Sequence, residues 1–150
     1  MRSQFTYATS HIGLCVRDLD RSRRFYVDGL GFAEFARFDL TRPIAEVDPP
    51  FDFTSFFIQK DGVRIELLDY RSPGVIGEPS MRRNQLGLTH LSFVVDDVDA
   101  AARDLERFGG TIIDGTRSGQ DDPDAIQIIF LADPDGTRVE LMRLAKGQVW

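Results

Sequence analysis

One cysteine, Cys15, stands among the 150 residues, so an internal disulfide is excluded. A reducing compartment suits that shortage of sulfur. No apolar run approaches the ~20 residues a membrane-spanning helix needs, and the opening MRSQFTYATS lacks the apolar stretch of a secretory signal. The expectation is a mature, cytoplasmic chain. Basic tracts are missing too: the longest are the pairs Arg23–Arg24 and Arg82–Arg83, and the net charge is −6 with a pI of about 4.9. Nucleic acid and anionic membrane surfaces are therefore not expected partners. Histidine is scarcest of all the chemically useful residues, with only His11 and His90. The remainder, 42% hydrophobic and 28% charged, is ordinary for a globular domain. The length suits a single domain, 1–150, with a sizeable core.

What the chain does have is a repeat. Residues 10–20 read SHIGLCVRDLD and residues 89–99 read THLSFVVDDVD; residues 61–68 read DGVRIELL and residues 135–142 read DGTRVELM. Superposed, His11 meets His90, Val16 meets Val95, Asp18 meets Asp97, Gly31 meets Gly110 and Glu66 meets Glu140. Units of about 70 residues are too long for a solenoid repeat. They imply a small motif, duplicated, that closes into one domain.

Each copy reads in one order. A strand with alternating apolar residues (9–16, 88–95) leads to an aspartate placed to cap a helix, Asp18 or Asp97. The helix stops at glycines (29–31, 109–110). Three strands follow, at 32–39, 52–60 and 63–70 in the first copy and at 111–115, 125–132 and 137–143 in the second. KDG (60–62) and DPDG (133–136) suit hairpins. The Pro- and Gly-rich stretch 71–87 reads as the linker, with a short helix expected at 78–84, and 41–51 and 116–124 read as loops. The pattern is βαβββ twice, an α+β chain with units at about 9–70 and 88–144.

Strand parity then sorts the polar residues. Ile12, Leu14 and Val16 share one face, and Leu91, Phe93 and Val95 the corresponding one; His11 and His90 fall on the opposite face. Glu66 and Glu140 fall on that same opposite face, as do Arg64, Arg138 and Cys15. A lone strand histidine or glutamate is ordinarily a packed or solvated residue. Four at duplicated positions with matching parity are harder to dismiss, because a buried carboxylate is costly unless paired or bound to metal. Two neutral imidazoles and two carboxylates balance the charge of one divalent cation, and mixed N/O ligation suits Zn, Ni, Co, Mn or Fe(II). Arg64 and Arg138 are candidates to pair with the glutamates or hold an anionic substrate, against the plainer reading of sheet-edge charge. Cys15 reads as small packing.

The doubled unit, opening on HIGLCVRDLDRSRRFYVDGLGF and closing on FLADPDGTRVELMRL, resembles the vicinal oxygen chelate superfamily of glyoxalase I, bleomycin-resistance proteins, methylmalonyl-CoA epimerase, fosfomycin-resistance enzymes and extradiol dioxygenases. The resemblance implies a glyoxalase-like fold in which curled mixed sheets form a metal cup. It implies metal ligands at His11, Glu66, His90 and Glu140, with Glu66 and Glu140 as the catalytic base candidates. A glutamate at position 66 favours a lyase or isomerase of the glyoxalase I type, working through an enediolate on a small chelating substrate, with glutathione a candidate co-substrate although no glutathione or coenzyme A signature is evident. Three alternatives stay open: a non-haem Fe(II) extradiol-type dioxygenase, a drug- or metabolite-binding resistance protein, and an epimerase like that for methylmalonyl-CoA. The epimerase reading needs a further carboxylate on the preceding strand, where the chain offers Asp52. A homodimer is the expected assembly. No substrate-binding residue is identified.

Overall fold

The computed structural model describes residues 3–149. Eight strands form two four-stranded mixed sheets. The first contains β1 (Ile12–Val16), β2 (Ala33–Leu40), β3 (Asp52–Lys60) and β4 (Val63–Ser72), in the order β1-β4-β3-β2. The second contains β5 (Leu91–Val94), β6 (Thr111–Ile112), β7 (Gln127–Ala132) and β8 (Arg138–Arg143), in the order β5-β8-β7-β6. In both, the first strand runs parallel to the last and the other pairings are antiparallel. The register repeats as well: Gly13 lies opposite Glu66 and Ser92 opposite Glu140. The duplication seen in the sequence is therefore a duplication of topology.

By contact density the chain divides into two compact units, one holding the chain up to Arg17 with Phe32–Val75, the other holding Asp18–Gly31 with Ile76 onward. Unit 1 is thus the first sheet, and unit 2 is the second sheet together with both helical segments. Among the described residues no helix is long and apolar enough to cross a membrane.

In unit 1 alternation decides the faces. Phe56 and Ile58 of β3 and Ile65 and Leu67 of β4 share one face, and each is at most 4% exposed. The β3–β4 hairpin turns on Asp61 and Gly62, at φ 49° and 80°. This is the left-handed pair that a two-residue Asp-Gly turn supplies. Beyond Asp52 the same face turns polar: Arg71 donates to Asp52, Thr54 and Asp69, and Thr54 donates to Asp39.

In unit 2 the aspartate caps form as expected. Asp18 accepts from the Arg21 N–H at the start of α1 (Leu19–Arg23), and Asp97 accepts from Asp99 and Ala100 at the start of α2 (Val98–Glu106). Val98, Ala102 and Leu105 give α2 its buried stripe at helical spacing. The first helix departs from expectation. After α1 it continues as a π-helical turn, Arg24–Gly29, marked by the Leu30 N–H donating to Phe25 O at 2.9 Å. The wider turn lets the adjacent Phe25 and Tyr26 both bury completely, at 0% exposure.

Tyr26 donates to Asp133 Oδ2 at 2.8 Å, while Asp133 Oδ1 accepts from the Asp135 and Thr137 N–H groups and so holds the DPDG turn. Burial raises the phenol well above its usual pKa, with the Asp133 charge adding to it, and burial also raises the Asp133 carboxyl. Tyr26→Phe is expected to cost about 1–3 kcal/mol, because it leaves a buried acceptor short of a partner. Urea unfolding followed by circular dichroism measures it; a loss under about 0.5 kcal/mol contradicts the role.

Two further expectations are corrected. No helix forms at 78–84, where Pro79, Gly77 and Gly87 punctuate a stretch of bends and turns. The strand expected at 111–115 shortens to Thr111–Ile112, because Gly115 at φ 72° and the Thr116 hydroxyl bonded to Ile113 O turn the chain away.

Candidate functional site

Both histidines sit one residue before a strand, His11 before β1 and His90 before β5. The parallel pairing carries each toward the glutamate of its own sheet. His11 Nε2 lies 3.0 Å from Glu66 Oε2, and His90 Nε2 lies 3.7 Å from Glu140 Oε2. Each unit therefore builds one imidazole–carboxylate pair, by the same strand geometry.

The surroundings of the two pairs also match. Ser10 Oγ lies 2.9 Å from His11 Nδ1, and Thr89 Oγ1 lies 2.9 Å from His90 Nδ1. With Nδ1 engaged by a hydroxyl, Nε2 is the nitrogen turned to the carboxylate. Each glutamate accepts a further hydroxyl bond: Ser55 donates to Glu66 at 2.5 Å and Ser92 donates to Glu140 at 2.7 Å. These two serines come from different strands, β3 and β5, so the two halves supply the hydroxyl from non-equivalent positions. Each ring also meets a phenylalanine edge-on: His11 with Phe57 at 5.2 Å and 85°, His90 with Phe130 at 5.3 Å and 88°. Phe57 lies opposite Glu66 and Phe130 opposite Glu140. The pairs differ in burial. Glu140 is 8% exposed, whereas Glu66 is half-buried and opens onto a cavity.

Each pair could offer a divalent cation one nitrogen and one oxygen. Two ligand atoms each ~2.1 Å from one cation stand ~3.0–3.4 Å apart at ordinary coordination angles. The His11–Glu66 separation of 3.0 Å lies in that range and the His90–Glu140 separation of 3.7 Å just outside it. Hydroxyl partners on the distal nitrogen and on the carboxylate are what orient metal ligands. Among the described residues, no group of three or more His, Cys, Asp or Glu side chains is gathered closely enough to hold a metal.

The other singled-out residues take plainer places. Neither Arg64 nor Arg138 is ion-paired to a glutamate among the described residues. Arg64 stacks on Phe35, 4.0 Å from the ring centroid, and Arg138 on Phe130 at 4.7 Å, with Arg83 on that ring at 4.2 Å. Asp52 is bound by Arg71, whose hydrogen bonds hold its carboxyl below the usual value. Its cross-strand neighbour is Ser72, on the Arg71 side of the sheet, so it is not an additional carboxylate beside Glu66. Cys15 is exposed. Sequence reasoning missed the hydroxyl partners and Phe57 and Phe130; the signal was there in the Ser-His and Thr-His dipeptides.

The Glyoxalase/Bleomycin resistance protein/Dioxygenase superfamily profile matches residues 8–141. Over 144 residues the chain is 26% identical to a catechol-2,3-dioxygenase of Bacillus subtilis (strain 168), covering 94% of this chain and 44% of that protein. It thus spans less than half of that relative. A glyoxalase family protein of Bacillus cereus shares the fold with a TM-score of 0.76 at 16% identity, over 95% of this chain and 97% of that one. The trypanothione-dependent glyoxalase I of Leishmania major does so with a TM-score of 0.62 at 22% identity, over 92% and 88%. At those identities the structural likeness carries the fold alone.

Proposed function

Because the chain belongs to the Glyoxalase/Bleomycin resistance protein/Dioxygenase superfamily, we propose that it is a metal-dependent lyase or isomerase of the glyoxalase I type. The observation that carries this reading is the twice-built His–Glu pair, each imidazole backed by a hydroxyl and a phenylalanine edge and each carboxylate by a serine. His11, Glu66, His90 and Glu140 would hold the cation, one pair from each half, joined across a homodimer. When bound, a divalent ion polarises a substrate oxygen and makes the neighbouring C–H acidic. The chain's own part is to move the proton. Glu66 or Glu140 takes it from one carbon and returns it at the next. Ser55 and Ser92 hold those carboxylates in aim. Two chelating oxygens on neighbouring carbons define the substrate class, and glutathione is the proposed co-substrate.

The test is metal analysis of the purified protein, then turnover of methylglyoxal–glutathione hemithioacetal with Ni, Zn and Co. Absence of tightly bound divalent metal under all loadings refutes the reading. A second reading has its own support: likeness to the catechol-2,3-dioxygenase of B. subtilis favours an extradiol-type Fe(II) dioxygenase. Oxygen-dependent catechol turnover after anaerobic Fe(II) loading, with no hemithioacetal turnover, selects it.

Ser55→Ala and Ser92→Ala test the supporting hydroxyls. Each is expected to weaken metal binding about 10–100-fold with the fold intact, since partners of a metal ligand carry that much. Competition with a chelating dye reads the affinity; unchanged affinity in both variants removes the serines from the site.

A further inference from the structure

Unit 1 contains an open-sided cavity of about 500 Å³ with Glu66 in its lining. We propose that this cavity binds an elongated, largely aromatic molecule with an oxygen donor at the Glu66 end and a carboxylate at the Arg42 end. The proposal rests on the metal reading only for what meets the oxygen.

Length comes from the strand register. Phe57 lies opposite Glu66 and Phe53 opposite Tyr70, four residues farther along β3 and β4. At ~3.3 Å per residue the floor between them runs ~13 Å. Leu40, the last residue of β2, pairs with Phe53, so Arg42 follows at the end away from Glu66. These two are the only charged side chains among the described lining residues, and they have opposite signs. The cavity is therefore charged at its ends and mostly apolar between, with Ser55 near the Glu66 end.

The middle is aromatic. Phe53 and Tyr70 stack at 5.2 Å and 26°, while Phe38 and Phe57 meet edge-to-face at 6.1 Å and 85°. Such an arrangement offers both faces and edges to a planar guest, which ring quadrupoles favour over an alkyl chain. Phe38 is 52% exposed, an apolar surface left for a guest to cover. Size agrees: a cavity of ~150 Å³ takes one benzene ring, so about 500 Å³ accommodates a two-ring body with substituents. Arg42 has no ion-pair partner among the described residues, and its guanidinium matches a carboxylate in a bidentate manner. Among the described residues unit 2 has no equivalent wall, because β6 is two residues long where β2 has eight.

Three probes, titrated calorimetrically into the metal-free protein, test the proposal: 6-hydroxy-2-naphthoate, its methyl ester, and 6-hydroxyhexanoate. The first is expected to bind at least tenfold more tightly than either other. Arg42→Gln is expected to bring it level with the ester and leave the ester unchanged; Phe38→Ala is expected to weaken both naphthalene probes and spare the hexanoate. Equal binding of the naphthoate and the ester, equal binding of the naphthoate and the hexanoate, or no naphthoate binding overturns the proposal. The metal reading fails separately: a protein that binds naphthoate in this way but no divalent metal keeps its aromatic cavity and loses the lyase assignment.

Discussion

Alanine at His11, Glu66, His90 or Glu140, one at a time, is expected to weaken metal binding by more than ~100-fold, beyond the loss expected from removing a supporting partner, and to abolish turnover. The reasoning is local to each pair. The contacts of 3.0 and 3.7 Å place one nitrogen beside one oxygen within each sheet, and on the proposed reading deleting either partner leaves a single ligand there. Metal content by mass spectrometry checks the expectation, and full content in three of the four variants refutes the site. A mixing experiment tests the homodimer. Where one protomer's His11–Glu66 pair joins its partner's His90–Glu140 pair, refolding His11→Ala with His90→Ala subunits yields mixed dimers with one intact set of ligands each. About a quarter of the wild-type metal is then recovered, by the statistics of two-fold assembly. No recovery shows that the pairs are not shared between copies.

Phe130→Ala is expected to cost about 3–5 kcal/mol of stability, the range for emptying a buried aromatic site. Phe130 is 1% exposed. It supports His90 edge-on and carries the guanidinium groups of Arg83 and Arg138 on its ring. Arg138 is itself 7% exposed, with a buried Nε that has no hydrogen-bond partner, so losing its aromatic neighbour leaves a charge in poor surroundings. Phe57→Ala, the corresponding change in unit 1, should cost clearly less, since Phe57 is only half-buried. Denaturant midpoints measure both. Equal losses at the two positions contradict this account of unequal halves.

The duplicated phrases and the period-two alternation were enough to place Glu66 and Glu140 on matching strands, and the register confirms that placement residue by residue. The caps at Asp18 and Asp97 and the Asp61–Gly62 turn were legible for the same reason: each depends on a neighbour within three residues. The π-helical turn at Arg24–Gly29 was not. Its cause is tertiary, the simultaneous burial of Phe25 and Tyr26, and a window of local propensity sees only a helix. Residues 78–84 could have formed a helix by length, yet the Pro and Gly around them prevailed. Ser55 and Ser92 were invisible as a pair because they hold equivalent positions to Ile128 and Gly13, so no repeat in the letters announces them. The segment Asp18–Gly31 grouping with the later sheet was likewise beyond a reading that follows the order of the repeat.

The hydroxyls at His11 and His90 carry one last consequence. A carboxylate beside Nδ1 would fix the ring proton there; Ser10 and Thr89 can each give or receive a hydrogen bond. The imidazole is thus free to exchange tautomers while every heavy atom stays where it is. With Nε2 protonated the ring donates to its glutamate; with Nδ1 protonated the same ring offers Nε2 a lone pair for coordination. On the proposed metal reading, the swing of a hydroxyl is then what turns each Nε2 from a donor to its glutamate into a lone pair for a cation.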